Sequence, residues 1–188
     1  VRAELEDAHF SYAENRPIHM DELSPLITPM GLPGFSSRLG DLFKFCFVRD
    51  PAMRLLSAYL DKILRCRPQK RPILAALGKQ DEPDYPVSFP IFVDVVCAQE
   101  PRALDPHWNI QYEQVCADRI AYDFIGKVET LDADLRSVLE RLGIDKSYIF
   151  SARSHRTEAR NLAATYLTPT LRRKIEERYR LDYEFFGY

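Results

Sequence analysis

The sequence has no apolar run approaching the ~18 residues that a membrane span requires. Its opening, Val-Arg-Ala-Glu-Leu-Glu-Asp, is charged and lacks the apolar centre of a signal peptide. Neither sign of charge dominates: 28 Asp and Glu face 26 Lys and Arg, for a formal net charge of -2. That balance argues against a nucleic-acid partner or a membrane-surface binder, both of which need a strong basic excess, while leaving room for a local basic pocket. The four cysteines (Cys46, Cys66, Cys97, Cys116) include no C-x-x-C pair and no zinc-type spacing, so no metal is expected. Isolated buried thiols are the expectation, because 188 residues with 46% apolar content can bury a core without disulfide staples. Repeats, low-complexity stretches and linkers are also missing, so residues 1–188 read as a single domain. No Gly-x-x-x-x-Gly-Lys-[Ser/Thr] loop is present, which argues against a nucleotide kinase.

What is present is an alternation of strand and helix signals. The first forty residues are broken by Pro17, Pro25, Pro29, Pro33, Gly31 and Gly34, with room for a short helix from Asp21 to about Pro29. Phe43 to Val48 is a near-continuous aromatic and apolar run, as in a central strand buried on both faces. Asp50-Pro51 then reads as a helix cap followed by Pro at the first helical position. Met53, Leu56, Leu60 and Ile63 carry that helix to about Leu64 at helical spacing. Further helices are predicted over 88–98, over 132–142 with Gly143 as the stop, and from Thr168-Pro169 onward with Leu171, Ile175 and Tyr179 inward. Tyr122 to Val128 is the second strand. The fold class is therefore α/β, a mostly parallel sheet flanked by helices.

The chemistry concentrates where the first strand meets its helix. Arg49 sits at the carboxyl end of a parallel strand, the edge at which open α/β sheets bind ligands. The helix start beyond it offers unpaired N–H groups and the positive dipole end. Ser57 shares a helical face with Asp50 and Arg54, so an Arg fork from the strand end and a hydroxyl from the helix can converge on a phosphate. The alternative, an Arg49–Asp50 pair with a back-bonded Ser57, stays open at this level.

Phe47-Val48-Arg49-Asp50-Pro51-x-x-Arg54-Leu55-x-Ser57-Ala58-Tyr59 resembles the 3′-phosphate-binding signature of the carbohydrate sulfotransferases, the family of the chondroitin and heparan 2-O enzymes and their bacterial relatives. Two further blocks follow in the same order as in that family. One is His107-Trp108, Cys116, then Tyr122-Asp123-Phe124-Ile125-Gly126-Lys127-Val128-Glu129-Thr130; the other is the ending Phe186-Gly187-Tyr188, similar to an Asp-x-x-x-Phe-Gly-Tyr terminus. The resemblance covers roughly residues 44–188. It implies a P-loop-like fold, with 3′-phosphoadenosine-5′-phosphosulfate as the nucleotide sulfate donor and a carbohydrate or other hydroxyl as the acceptor. It implies that Arg49 and Ser57 hold the 3′-phosphate, with Arg54 beside them, and that Arg156 and Thr157 match a donor-contacting loop.

The family's Pro-Lys-x-x-x-Thr loop, which cradles the 5′-phosphosulfate, has no counterpart before Arg49. The chain starts at Val1 rather than Met, so the expectation is a sequence lacking the family's first strand and that loop. The competing reading is a non-catalytic relic that binds nucleotide or glycan. Two histidines are candidates for the base that takes the acceptor's proton. His19 lies upstream of the Arg-Asp-Pro strand, where the heparan 2-O enzymes place theirs, and His107 precedes Trp108. Alternatively His107 caps a loop while Trp108 fills the core. Glu129 is expected to pair with Lys127 or Arg54, and the runs Arg65 to Arg71 and Arg172 to Glu177 read as solvated charge with i,i+4 pairs. Short loops and the lack of an anchor favour a bacterial-type cytoplasmic protein, with an anchor-trimmed Golgi luminal domain as the alternative.

Overall fold

Two short parallel strands organise the computed structural model, which describes residues 39–144 and 158–188. Strand β1 (Phe45–Val48) pairs with β2 (Phe124–Lys127) in the register Phe45↔Phe124 to Val48↔Lys127. Both strands are shorter than the sequence suggested, and the expected burial on both faces does not hold. Phe45 is 40% exposed and Val128, just past β2, equally so. In a sheet of two strands each has an unpaired edge, and among the described residues no third strand covers it.

The close approach of the two strands explains a glycine. Gly126 lies opposite Phe47, and a Cβ built there would fall on the Phe47 ring. Gly126→Ala is accordingly expected to cost about 1–3 kcal/mol by overpacking, read as a lower urea midpoint; an unchanged midpoint would mean that Phe47 swings aside freely.

The start of the sheet is clamped by charge. Asp123 Oδ2 accepts the Lys44 N–H at 2.7 Å and pairs with Lys44 Nζ at 3.0 Å. The backbone and side-chain hydrogen bonds from Lys44 hold the Asp123 carboxyl below the usual carboxylate range. A folded-state pKa below the unfolded one contributes stability that is complete above the unfolded value and vanishes as pH falls through the folded one. Thermal melts of Asp123→Asn and the parent should therefore differ near neutrality and converge below about pH 4; parallel curves across the acid range would exclude the clamp.

Helix α1 (Pro51–Ala58) begins as the sequence dictates: Asp50 Oδ1 accepts the Met53 N–H at 2.7 Å, with Pro51 at the first position. It does not run on as a regular helix. Tyr59–Ile63 forms a π turn, closed by Leu64 N–H to Tyr59 O at 3.0 Å. Then follow α2 (Lys70–Ala76), α3 (Phe89–Ala98), the single turn α4 (Gln111–Gln114) and α5 (Leu131–Arg141). Gly143, at φ +66°, ends α5 as predicted. The chain closes with α6 (Ala159–Tyr166), α7 (Pro169–Arg178) and α8 (Arg180–Phe186). Thr168 caps α7 by accepting the Leu171 N–H.

The core lies among the helices rather than on the sheet. Helix α1 packs on α6 and α7, and α3 packs on α2 and α7, while α5 covers β2. Leu55, Leu56, Ile63, Phe92, Val93, Trp108, Ile175 and Tyr179 are all buried. The ring of Phe92 meets Trp108 edge-on at 5.3 Å, and Tyr59 meets Phe89 at 5.2 Å. Tyr179 satisfies its hydroxyl by donating to Trp108 O at 2.5 Å. All four cysteines are free, but Cys66 is exposed and the others half-buried, against the expectation of buried thiols. The charged face of α7 also departs from simple i,i+4 pairing, since Lys174 reaches across to Asp94 on α3 at 2.5 Å.

These elements belong to one compact unit, Phe43–Tyr188; Val1–Leu42 forms another, described only from a 3₁₀ turn at Leu39–Asp41 onward. The predicted helix near Asp21 lies outside the described residues, as do His19, Arg156 and Thr157.

Candidate functional site

The last sheet pair, Val48↔Lys127, leaves Arg49 just past the carboxyl edge of two parallel strands. There the main chain turns into α1, and side chains take over the hydrogen bonds that a sheet would supply. The Gln111 amide grips both sides of Arg49: Oε1 accepts the Arg49 N–H at 2.9 Å, and Nε2 donates to Arg49 O at 2.7 Å. The next N–H, that of Asp50, goes to Glu129 Oε1 at 3.0 Å. Gln111 is itself held by Asp182, whose Oδ2 accepts the Gln111 N–H at 2.9 Å and whose Oδ1 accepts the Tyr112 N–H at 2.7 Å. Asp182 is fully buried, and this burial raises its carboxyl above the usual range against the opposing pull of those N–H donors.

The two arginines of the motif part company. Arg54 donates to the carbonyls of Asn109 and Pro106 and, at 2.6 Å, to Gln114 Oε1. All the hydrogen bonds of its guanidinium to described residues thus go to the 106–114 segment, not towards a shared anion. The Arg49 guanidinium, by contrast, has no hydrogen bond or ion pair with any described residue. Burial lowers its pKa from the ordinary arginine value; Glu129 and Asp50 oppose this, and the nearby Arg160 adds to it. The Arg49–Asp50 pair left open by the sequence does not form, because Asp50 is occupied capping α1. Ser57 lies half-buried on α1.

Glu129 departs from expectation. It binds neither Lys127 nor Arg54: Oε1 takes the Asp50 N–H and Oε2 accepts the Tyr188 hydroxyl at 3.1 Å. Lys127 Nζ donates to Gly187 O at 2.8 Å and lies 4.2 Å above the Tyr188 ring. Gly187 takes the left-handed conformation, φ +66°, which turns Tyr188 back onto the sheet edge. Burial, then the Glu129 carboxylate, raises the Tyr188 phenol.

Residues 29–188 match the family model described as "Sulfotransferase family". The chain belongs to the sulfotransferase family. It is 31% identical to "Carbohydrate sulfotransferase 14" of Danio rerio over 91% of its own length and 51% of that protein. The mouse protein of the same name is 33% identical over 80% of this chain and 43% of its own. "Carbohydrate sulfotransferase 9" of Homo sapiens is 30% identical over 91% and 43%. The chain thus spans about half the length, or less, of these curated relatives. No solved structure matches it. The resemblance to carbohydrate sulfotransferases carried by the three motif blocks is borne out, and the small parallel sheet with helices is compatible with an α/β sulfotransferase fold.

Within this sulfotransferase-family chain the His107-Trp108 pair of the second motif block sits in a turn closed by Trp108 N–H to Asp105 O at 2.9 Å. His107 Nδ1 lies 2.6 Å from Asp105 Oδ1, which also accepts the His107 N–H at 2.9 Å. A carboxylate only accepts, so Nδ1 is the donor, and in the neutral ring Nε2 is the nitrogen that carries the lone pair. Trp108 is buried, and Arg54 ties the carbonyls on either side of this pair to α1. The loop-cap reading and the base reading of His107 are therefore compatible. The basic run from Arg65 is largely solvated, with Arg65 on Asp61 at 3.3 Å, but Lys70 is an exception. It is buried and donates to Pro83 O at 2.9 Å.

Gln111, Asp182 and Arg160 escaped the sequence reading. Asp182 did carry a signal, as the Asp of the Asp-x-x-x-Phe-Gly-Tyr ending. Gln111 and Arg160 carried none. Among the described residues no group of His, Cys, Asp and Glu gathers that could hold a metal, and no helix is long and apolar enough to cross a membrane.

Proposed function

We propose that the chain is the part of a sulfotransferase that grips the 3′-phosphate of 3′-phosphoadenosine-5′-phosphosulfate, and that the protein moves a sulfuryl group from it to a hydroxyl of a carbohydrate. The observation that carries this is Arg49: a half-buried guanidinium at the carboxyl edge of parallel strands, with no hydrogen bond to any described residue. A guanidinium so desolvated gains most from a doubly charged anion; Arg160 adds a second positive charge nearby, and the Glu129 and Asp50 carboxylates that oppose it are engaged by the Asp50 and Met53 N–H groups. The residues present thus fit a phosphate. The names of the curated relatives support a carbohydrate acceptor.

When bound, the donor supplies an activated sulfuryl group for in-line displacement. The chain's own contribution is to orient and to move a proton. Arg49 and Ser57 hold the donor's 3′-phosphate, while Arg54 holds the 106–114 segment against α1. A base takes the proton of the acceptor hydroxyl, from His19 or His107. Asp105 braces the His107 ring through Nδ1, so in its neutral form Nε2 is the acceptor a base needs. Arg156 and Thr157 contribute a second donor contact. We further propose a P-loop-like fold in a single domain over 1–188; the family match over 29–188, whose range crosses the division at Leu42, supports the latter. The expected cytoplasmic compartment finds no support among these vertebrate relatives.

Calorimetric titration of the chain with 3′-phosphoadenosine-5′-phosphate beside AMP tests this reading. Tighter binding of the 3′-phosphorylated nucleotide is expected. Equal affinity for both, or no binding of either, would overturn it.

A further inference from the structure

We infer that Gln111 and Asp182 act together as positioning residues that aim Arg49, an inference that rests on the phosphate-binding role proposed above. Arg49 lies one residue beyond the last sheet pair, so its peptide groups have lost the neighbouring strand. Gln111 replaces that strand with an amide that both accepts and donates, at 2.9 and 2.7 Å. A primary amide in this position could turn over and lose both bonds. Asp182 prevents this: its Oδ2 lies 3.4 Å from Gln111 Nε2, so a turned amide would point its oxygen at a carboxylate and a carbonyl. The backbone of Gln111 and Tyr112 is fixed by the same carboxylate.

Gln111 is 6% exposed and Asp182 0%, so both polar groups are held away from water. A carboxylate is expensive to bury for packing alone. Here it spends its lone pairs on the turn that carries Gln111, and Gln111 spends its amide on Arg49. Helix α8 supplies a second brace, because Gly187 and Tyr188 at its end hold Lys127 and Glu129, and Glu129 holds the Asp50 N–H. The Asp-x-x-x-Phe-Gly-Tyr ending therefore acts on the anion site from both sides of Arg49 without touching the ligand. Fixing the backbone on both sides limits where the guanidinium can swing, which is what a directional fork on a phosphate requires.

The test compares the full chain with Gln111→Met, Gln111→Asn, Arg49→Ala and the Arg49→Ala/Gln111→Met double variant. Each is titrated with 3′-phosphoadenosine-5′-phosphate and with AMP, and melted to show that it is folded. Gln111→Met keeps the side-chain length without the amide; Gln111→Asn keeps an amide too short to reach, and serves if the Met variant does not fold. Expected is a loss of about tenfold in the affinity ratio between the two nucleotides, the size of one charge-assisted hydrogen bond misaimed, with AMP affinity unchanged. The double variant should bind no worse than Arg49→Ala alone. If Arg49→Ala abolishes the ratio while the Gln111 variants keep it, or weaken both nucleotides alike, the positioning role is overturned and the Arg49 site stands. If the parent chain does not distinguish the nucleotides, the site itself fails and the positioning role with it.

Discussion

Arg49→Ala is expected to lower affinity for 3′-phosphoadenosine-5′-phosphate by roughly 10²- to 10⁴-fold while leaving AMP binding unchanged. The geometry of the fork sets this size. A guanidinium on a phosphate makes two charge-assisted hydrogen bonds, each worth about 1.5–3 kcal/mol, and about 1.4 kcal/mol is a factor of ten. Arg49 has no described hydrogen bond to give up, so little of that gain is offset by exchange of partners. Burial already penalises its charge, the Glu129 and Asp50 carboxylates offset part of that, and Arg160 adds to it. The same facts predict that the empty protein loses almost nothing, within about 0.5 kcal/mol, when the side chain is removed. Arg49→Lys keeps the charge but not the fork, and should fall between parent and Ala. Two outcomes would count against the site: an equal loss for AMP, or a fall in melting temperature that accounts for the weaker binding.

Asp182→Ala is expected to be the more damaging change for the fold. The carboxylate accepts the Gln111 and Tyr112 N–H groups at 2.9 and 2.7 Å in a fully buried position. Removing it leaves one buried and one part-buried donor unsatisfied, at about 1–3 kcal/mol each. Part of this is returned, because the carboxyl's raised pKa shows that its charge was costly to bury. The net expectation is a loss of about 3 kcal/mol, or roughly 6–12 °C in melting temperature for a chain of this size. That would be a large share of the about 5–15 kcal/mol that holds a domain together. Chemical denaturation measures it directly. A change below about 1 kcal/mol would mean that water reaches both N–H groups and that Asp182 is not the anchor of this turn.

The sulfotransferase likeness was legible because its signals are local. Asp50-Pro51 and Thr168-Pro169 specify helix starts through a side-chain oxygen three residues from its N–H and a ring that needs no donor. Gly143 ends α5 because its φ of +66° is a conformation that other residues rarely adopt. Arg49 could be placed at a ligand edge from the strand–turn–helix pattern alone. The helix after Asp50 starts where Asp50-Pro51 sets it, but Met53 and Leu60 of the expected stripe are only half-buried while Leu55 and Tyr59 are buried, and the π turn at Tyr59–Ile63 has no mark in the apolar pattern.

The sequence by itself therefore determined where the helices after Asp50 and Thr168 begin, where α5 ends, and which Arg stands at the carboxyl edge of β1. Tertiary structure alone decided the partners. Arg54 reaches Asn109, 55 residues on, while Glu129 finds Asp50 79 residues back and Gln111 finds Asp182 71 residues ahead. It also decided that Phe45 is exposed, because burial of a strand depends on how many neighbours the sheet has rather than on its own apolar run. The physical reason is common to all of these. Caps, turns and periodicity act over three or four residues and leave a mark in the order of the chain. A hydrogen bond between distant groups depends on which of several chemically equivalent acceptors packing brings within 3 Å, and that choice is made only when the helices close on one another.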